Sequence, residues 1–116
     1  MVLKETTTVL IVDDDEDIRF TLKTILDTEG FRVVGEAGDG AQAIALATKL
    51  QPNVIVLDYL MPGMNGELAA GVIRTVAPKS RILAFSAIVE KQPTWSDAYL
   101  NKKDITRIVE SLEALS

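Results

Sequence analysis

The chain has 116 residues, 47% hydrophobic and 25% charged, with a formal net charge of -5 at pH 7. That length describes one domain, residues 1–116, with enough apolar surface for a real core, and the acidic balance argues against nucleic-acid binding by this segment. It has no cysteine and no histidine, which excludes disulfides, zinc–thiolate sites, imidazole bases and phosphohistidine, so any chemistry must run on carboxylates, hydroxyls and lysines.

Mean hydropathy is +0.19, high for a small soluble domain, and suggests strands buried on both faces. No apolar run reaches the length of a membrane span and the start lacks signal-peptide character, so no membrane association is expected and cytoplasmic residence is the default. Residues 1–7 are polar and expected to fray. Thr8–Val12 reads as a short buried strand that runs straight into five acids, Asp13, Asp14, Asp15, Glu16 and Asp17. Two carboxylates about 4 Å apart repel by roughly 4 kcal/mol at an effective dielectric near 20, so converging acids call for a divalent cation. Asp15, Glu16 and Asp17 are better read as the cap and first turn of the helix that follows, over residues 16–29, with Ile18, Leu22, Ile25 and Leu26 inward and Gly30 closing it. The alternating acids mimic a calcium loop, but Ile18 and Thr24 stand where that loop needs Gly and Glu.

A second strand is predicted over 31–36. Asp39 and Gln42 resemble a capping box for a helix to about Leu50. Val54–Leu57 is the most central strand by composition and ends in Asp58. A Gly/Pro loop follows, then a helix over 67–76 with Leu68, Ala69, Val72, Ile73 and Val76 on one face. Residues 81–85 form a fourth strand ending at Ser86, and 99–101 a short fifth. The last helix, 104–115, turns Ile105, Ile108, Val109, Leu112 and Leu115 inward. This alternation predicts an α/β, doubly wound, parallel five-stranded sheet. One connection is anomalous. Residues 87–98 are barely enough for a crossover, and Pro93 would break a helix there. A loop is expected, with Trp95 packed on the strands.

Polar residues end several strands: Asp13 and Asp14, Asp58, Ser86, and just past the fifth, Lys102. In an open parallel sheet these converge on the crevice where strand order reverses. Three carboxylates suit Mg²⁺, with Mn²⁺ as an alternative, and magnesium supports phosphoryl transfer. Asp58 is the best nucleophile, Ser86 can hydrogen-bond a phosphoryl group and Lys102 can pair with its charge.

Val9-Leu-Ile-Val-Asp13-Asp14-Asp15, Val54-Ile-Val-Leu-Asp58-Tyr-Leu-Met-Pro62-Gly63-Met-Asn-Gly66, Ile82-Leu-Ala-Phe-Ser86-Ala87 and Tyr99-Leu-Asn-Lys102 resemble the receiver domain of bacterial two-component response regulators. The resemblance covers residues 8–115. It implies a flavodoxin-like sheet of order 2-1-3-4-5. It implies Asp58 as phosphoacceptor from a histidine kinase, a phosphotransfer protein or a small donor. Asp13, Asp14, Asp58 and the Leu60 backbone carbonyl would form the magnesium site. Ser86 and Tyr99 would be the switch pair and Lys102 the phosphate-contacting lysine. The output partner is not implied, and a homodimer is compatible. Two departures stand out: Lys103 occupies the place of the family's usual proline, and the helix between the fourth and fifth strands is reduced or missing. The rival reading is a receiver-like scaffold that binds partners without phosphorylation. A small phosphatase is weaker still.

Overall fold

A computed structural model describes residues 6–88 and 90–115. Alternation along the strands decides its architecture. In β1 (Thr8–Val12), Val9 and Ile11 face one side and Leu10 and Val12 the other, all buried. β3 (Val54–Leu57) divides the same way, Val54 and Val56 against Ile55 and Leu57. Strands apolar on both faces must be covered on both. On one face, Leu22 and Leu26 of α1 (Glu16–Thr28) and Ile108 and Leu112 of α4 (Ile108–Leu115) complete the core. On the other, Ala43 and Ala47 of α2 (Gly40–Leu50) and Ala69, Ala70 and Ile73 of α3 (Gly66–Val76) do so. Each fully buried Leu or Ile contributes about 1.5–3 kcal/mol, so both helical layers are needed to hold the sheet.

With β2 (Arg32–Ala37), β4 (Arg81–Ser86) and β5 (Ala98–Asn101), the sheet is parallel throughout in the order β2-β1-β3-β4-β5, the flavodoxin-like arrangement. The order reverses at β1 and β3, which opens the crevice at their carboxyl ends. Helix starts follow the sequence signals. Asp15 caps α1, its carboxylate accepting from the Asp17 and Ile18 N–H groups. Asp39 accepts from Gln42 N–H at 2.8 Å, while the Gln42 side chain reaches back to the Gly38 N–H at 3.0 Å.

Several local features differ from the pattern. In α3, Ala69, Ile73 and Val76 face the core as expected, but Leu68 and Val72 are 61% and 40% exposed, and Gly66 and Ala70 are turned inward. The cause lies at the start of the helix, where Gly66 sits so tightly on β3 that a Cβ there would stand 2.4 Å from the Asp58 carbonyl oxygen. The last helix divides: Lys102–Arg107 is 3-10, with Asp104 off helical angles at φ -103 and ψ 31, and α4 begins only at Ile108. Fraying does not extend to Thr7, which is buried and accepts from the Arg32 N–H at 3.1 Å. Thr8 and Asn53 clasp one another through three hydrogen bonds just beyond it. Residues 1–5 lie outside the described residues.

Between β4 and β5 the described residues form turns and bends and no helix, as the length predicted. Trp95 lies on the α2/α3-side core. Asp97 closes the segment. Its N–H donates to Ile82 O at 2.8 Å, and its carboxylate accepts from Ile82 N–H at 2.8 Å and from Arg74 at 2.9 Å. Arg74 also donates to Trp95 O at 3.1 Å. No helix of the described residues is long and apolar enough to cross a membrane.

Candidate functional site

The last ladder bonds of the two central strands aim the acids. Asp13 N–H donates to Ala37 O and Asp58 N–H to Val12 O, both at 3.0 Å, so each aspartate leaves its strand still held by a neighbour. Both are buried, at 1% and 3% exposure, while Asp14 is exposed. One carboxylate oxygen from each of Asp13, Asp14 and Asp58 lies within 4.8 Å of the other two. Oxygen donors at that spacing, two of them withdrawn from water, fit a hard divalent cation.

The charge balance within the cluster comes from Lys102. Its Nζ stands 2.7 Å from Asp13 Oδ2 and 3.3 Å from Asp58 Oδ2, between the two buried carboxylates. Asp13 is further tied by the Asp15 N–H, which donates to its Oδ1 at 2.9 Å, and its carbonyl accepts from Arg19 at 2.6 Å. Burial, then the neighbouring charge of Asp13, raise the Asp58 pKa from 3.8 to about 6 against the opposing pull of Lys102 and the Tyr59 N–H. The Lys102 pKa is raised as well: burial opposes its charge, but the two aspartates outweigh burial.

Local structure explains why Lys102 and not Lys103 enters the crevice. Asn101 caps the 3-10 turn by accepting from Lys103 N–H at 3.0 Å, and its amide donates to Ala87 O at 3.2 Å. That pins the end of β5 to the end of β4 and leaves the Lys103 side chain in solvent. Ser86 is buried at the end of β4, and its Oγ accepts a long contact of 3.5 Å from Ile88 N–H. Leu60 follows Asp58 in a loop held by Gly66 N–H to Tyr59 O at 2.8 Å, and its side chain is 56% exposed. Tyr99 is 40% exposed and lines an outward groove with Arg107 and Glu110. Thus Asp13, Asp14, Asp58 and Lys102 come together, with Ser86 at the adjoining strand end. Asn101, Arg19, Arg74 and Asp97 carry no spacing signal, because their partners are distant in sequence or are backbone groups.

A family model described as the response regulator receiver domain matches residues 9–109. The chain belongs to this family. Receiver domains are the phosphoacceptor modules of two-component signalling. The chemotaxis protein CheY of Thermotoga maritima is 33% identical over 115 residues, covering 93% of this chain and 96% of that protein. A protein-glutamate methylesterase of Myxococcus xanthus is 42% identical over 85 residues, covering 72% of this chain but 24% of that enzyme. Among solved structures, the response regulator domain of T. maritima CheB superposes with a TM-score of 0.86 at 26% identity, covering 94% of this receiver and 95% of that chain. TrrA of T. maritima, solved in complex with Mg²⁺ and BeF, gives 0.86 at 27% identity, covering 96% and 100%.

Proposed function

We propose that this receiver is a switch in which Asp58 takes a phosphoryl group from a histidine-kinase phosphohistidine, a phosphotransfer protein or a small donor such as acetyl phosphate. The observation that carries it is the buried Asp58 carboxylate on the central strand, with Asp13 and Asp14 within 4.8 Å and the Lys102 ammonium alongside. In the transfer an Asp58 oxygen forms the new P–O bond. The P–N bond of phosphohistidine, or the P–O bond of an acyl phosphate, breaks with its electron pair leaving on the donor. Asp13, Asp14, Asp58 and the Leu60 carbonyl would hold Mg²⁺, or Mn²⁺ in its place. The ion would supply charge neutralisation on the phosphoryl oxygens. Lys102 is already positioned to exchange the Asp58 carboxylate for the phosphoryl oxygens, a charge-assisted contact. The Ser86 hydroxyl donates to the same group, and Tyr99, its ring now outward, is the aromatic partner of that switch.

This is self-modification with no turnover of an external substrate. A sensor kinase or phosphotransfer protein supplies the phosphoryl group, an output partner or a second copy reads it, and the expected setting is cytoplasmic. The single receiver spans residues 1–116. The lack of a helix among the described residues between β4 and β5 favours one rival, a scaffold that binds without phosphorylation, but a scaffold has no use for two buried aspartates around a lysine. Intact mass and Trp95 fluorescence with Mg²⁺ and acetyl phosphate or beryllofluoride discriminate. A phosphoryl adduct lost in Asp58→Asn is expected. No adduct and no Mg²⁺ response would leave the scaffold, and phosphoester turnover would indicate a phosphatase.

A further inference from the structure

The Tyr59 ring stacks on Trp95 with centroids 6.1 Å apart and planes 25° from parallel. The Tyr59 peptide follows Asp58 directly in the chain, and its carbonyl is tied to the loop, accepting from Gly66 N–H at 2.8 Å. Trp95 in turn is fixed from beneath. It lies on the α2/α3-side core, and its carbonyl accepts from Arg74, which is itself clamped to Asp97. A continuous set of contacts therefore runs from the foot of β4, through Asp97, Arg74 and Trp95, to the residue that follows Asp58. Its ring borders an open cavity of about 710 Å³ shared with Ile88, Pro93 and Trp95, and the stacked indole is the ring that braces it there.

We infer that Trp95 is a positioning residue for phosphotransfer: by stacking on Tyr59 it fixes the backbone that immediately follows Asp58, and with it the placement of the Asp58 carboxylate. The inference rests on Asp58 being the phosphoacceptor. A misplaced contact at a reacting group reaches its cost through geometry rather than through fold stability, and offset aromatic stacking adds an orienting attraction beyond burial. The short crossover thereby has a use that a solvated loop would lack, since any partner that shifts residues 90–95 also shifts the Tyr59 peptide.

The test uses Trp95→Ala, Trp95→Phe and Trp95→Leu, with Tyr59→Ala alone and combined with Trp95→Ala. Leucine covers the core without offering a ring face, so it separates packing from stacking. Acetyl phosphate with Mg²⁺ gives the rate of adduct formation by intact mass, and hydrogen exchange at the Gly66 amide, which is bonded to the Tyr59 carbonyl, reports the loop. In Trp95→Ala and Trp95→Leu the rate should fall about tenfold and Gly66 exchange should accelerate, with both restored in Trp95→Phe. The double variant should be no slower than Tyr59→Ala, because the two side chains act through one contact. Unchanged rate and exchange in Trp95→Leu, or additive losses in the double variant, would overturn the role of Trp95. Absence of any adduct on the unsubstituted chain is a separate result, and overturns the phosphoacceptor reading itself.

Discussion

On the β1–β3 side of the crevice the polar side chains arrive as the direct continuation of buried strands. On the β4–β5 side they arrive through long-range hydrogen bonds. Asp13 and Asp58 each follow an apolar run whose burial on both faces leaves one position for the next residue. Lys102 is aimed by Asn101, which bridges to Ala87, and the segment before it is anchored by Asp97 on Ile82 and Arg74. The first construction tolerates change in the loops. The second depends on single polar contacts, each worth about 1–3 kcal/mol when a buried partner is stranded.

The largest effect should fall at the heart of the first side. Asp58→Asn should abolish the phosphoryl adduct seen by mass spectrometry, and should also stabilise the fold. The Asp58 carboxyl titrates at about 6 in the folded chain against 3.8 otherwise, so the folded chain binds more protons between those values. Its contribution is therefore most favourable below about 4, falls as pH rises towards 6, and stays lost above it. The full shift corresponds to roughly 3 kcal/mol. Solvent at the crevice mouth reduces this to about 1–2 kcal/mol of expected gain at pH 7, read by urea unfolding. A variant that keeps the adduct, or loses stability at neutral pH, would contradict the arrangement of charge described above.

The other side should respond with the opposite sign. Asp97→Ala strands the Ile82 N–H and Arg74, and should cost about 2 kcal/mol in urea unfolding with the slope unchanged. The Asp97 pKa is lowered, since hydrogen bonds from Ile82 N–H and Arg74 and the charges of Arg74 and Arg81 outweigh the upward effect of burial. Its contribution is therefore present above the ordinary carboxylate range and is lost as pH falls through and below it. Comparing unfolding of the parent with each variant from pH 3 to 8 separates the two signs. If Asp97→Ala left stability unchanged at pH 7, the short crossover would need another anchor.

Gly66→Ala tests the joint between the two sides. A Cβ placed 2.4 Å from the Asp58 carbonyl oxygen must push backbone, at a cost of about 1–3 kcal/mol, and should slow adduct formation by moving the 59–65 loop. Thermal unfolding together with intact-mass kinetics would measure both. The smallest effect is expected from Leu60→Gln and Ile88→Gln. Both side chains are apolar but 56% and 55% exposed, so they screen a phosphoryl group from water only in part. Adduct lifetime should shorten severalfold in the double variant, and an unaltered lifetime would remove the screening idea.

Much of the first side was legible because its signals are local. Two apolar runs ending in aspartate, the Asp15 and Asp39 caps, and the lengths of the intervening segments depend on residues close in sequence. The missing helix between β4 and β5 was legible for the same reason, from length and Pro93. The inward face of α3 was legible only in part: Ala69, Ile73 and Val76 pack on the core as the pattern indicates, but the tight approach of Gly66 to the backbone after β3 turns Leu68 and Val72 outward. The position of Tyr99 was not legible, since its exposure follows from how β5 meets α4.

By itself, then, the sequence determined the parallel sheet and the acids at its strand ends, since strand burial and the alternation of elements are properties of short windows, while the strand order followed from the resemblance of its four motifs to receiver domains. The tertiary structure alone decided which lysine enters the crevice, how the short crossover between β4 and β5 is held through Asp97 and Arg74, and that Trp95 stands against Tyr59. Those outcomes rest on hydrogen bonds and ring contacts between residues far apart in the chain, and no local pattern encodes which distant groups will meet.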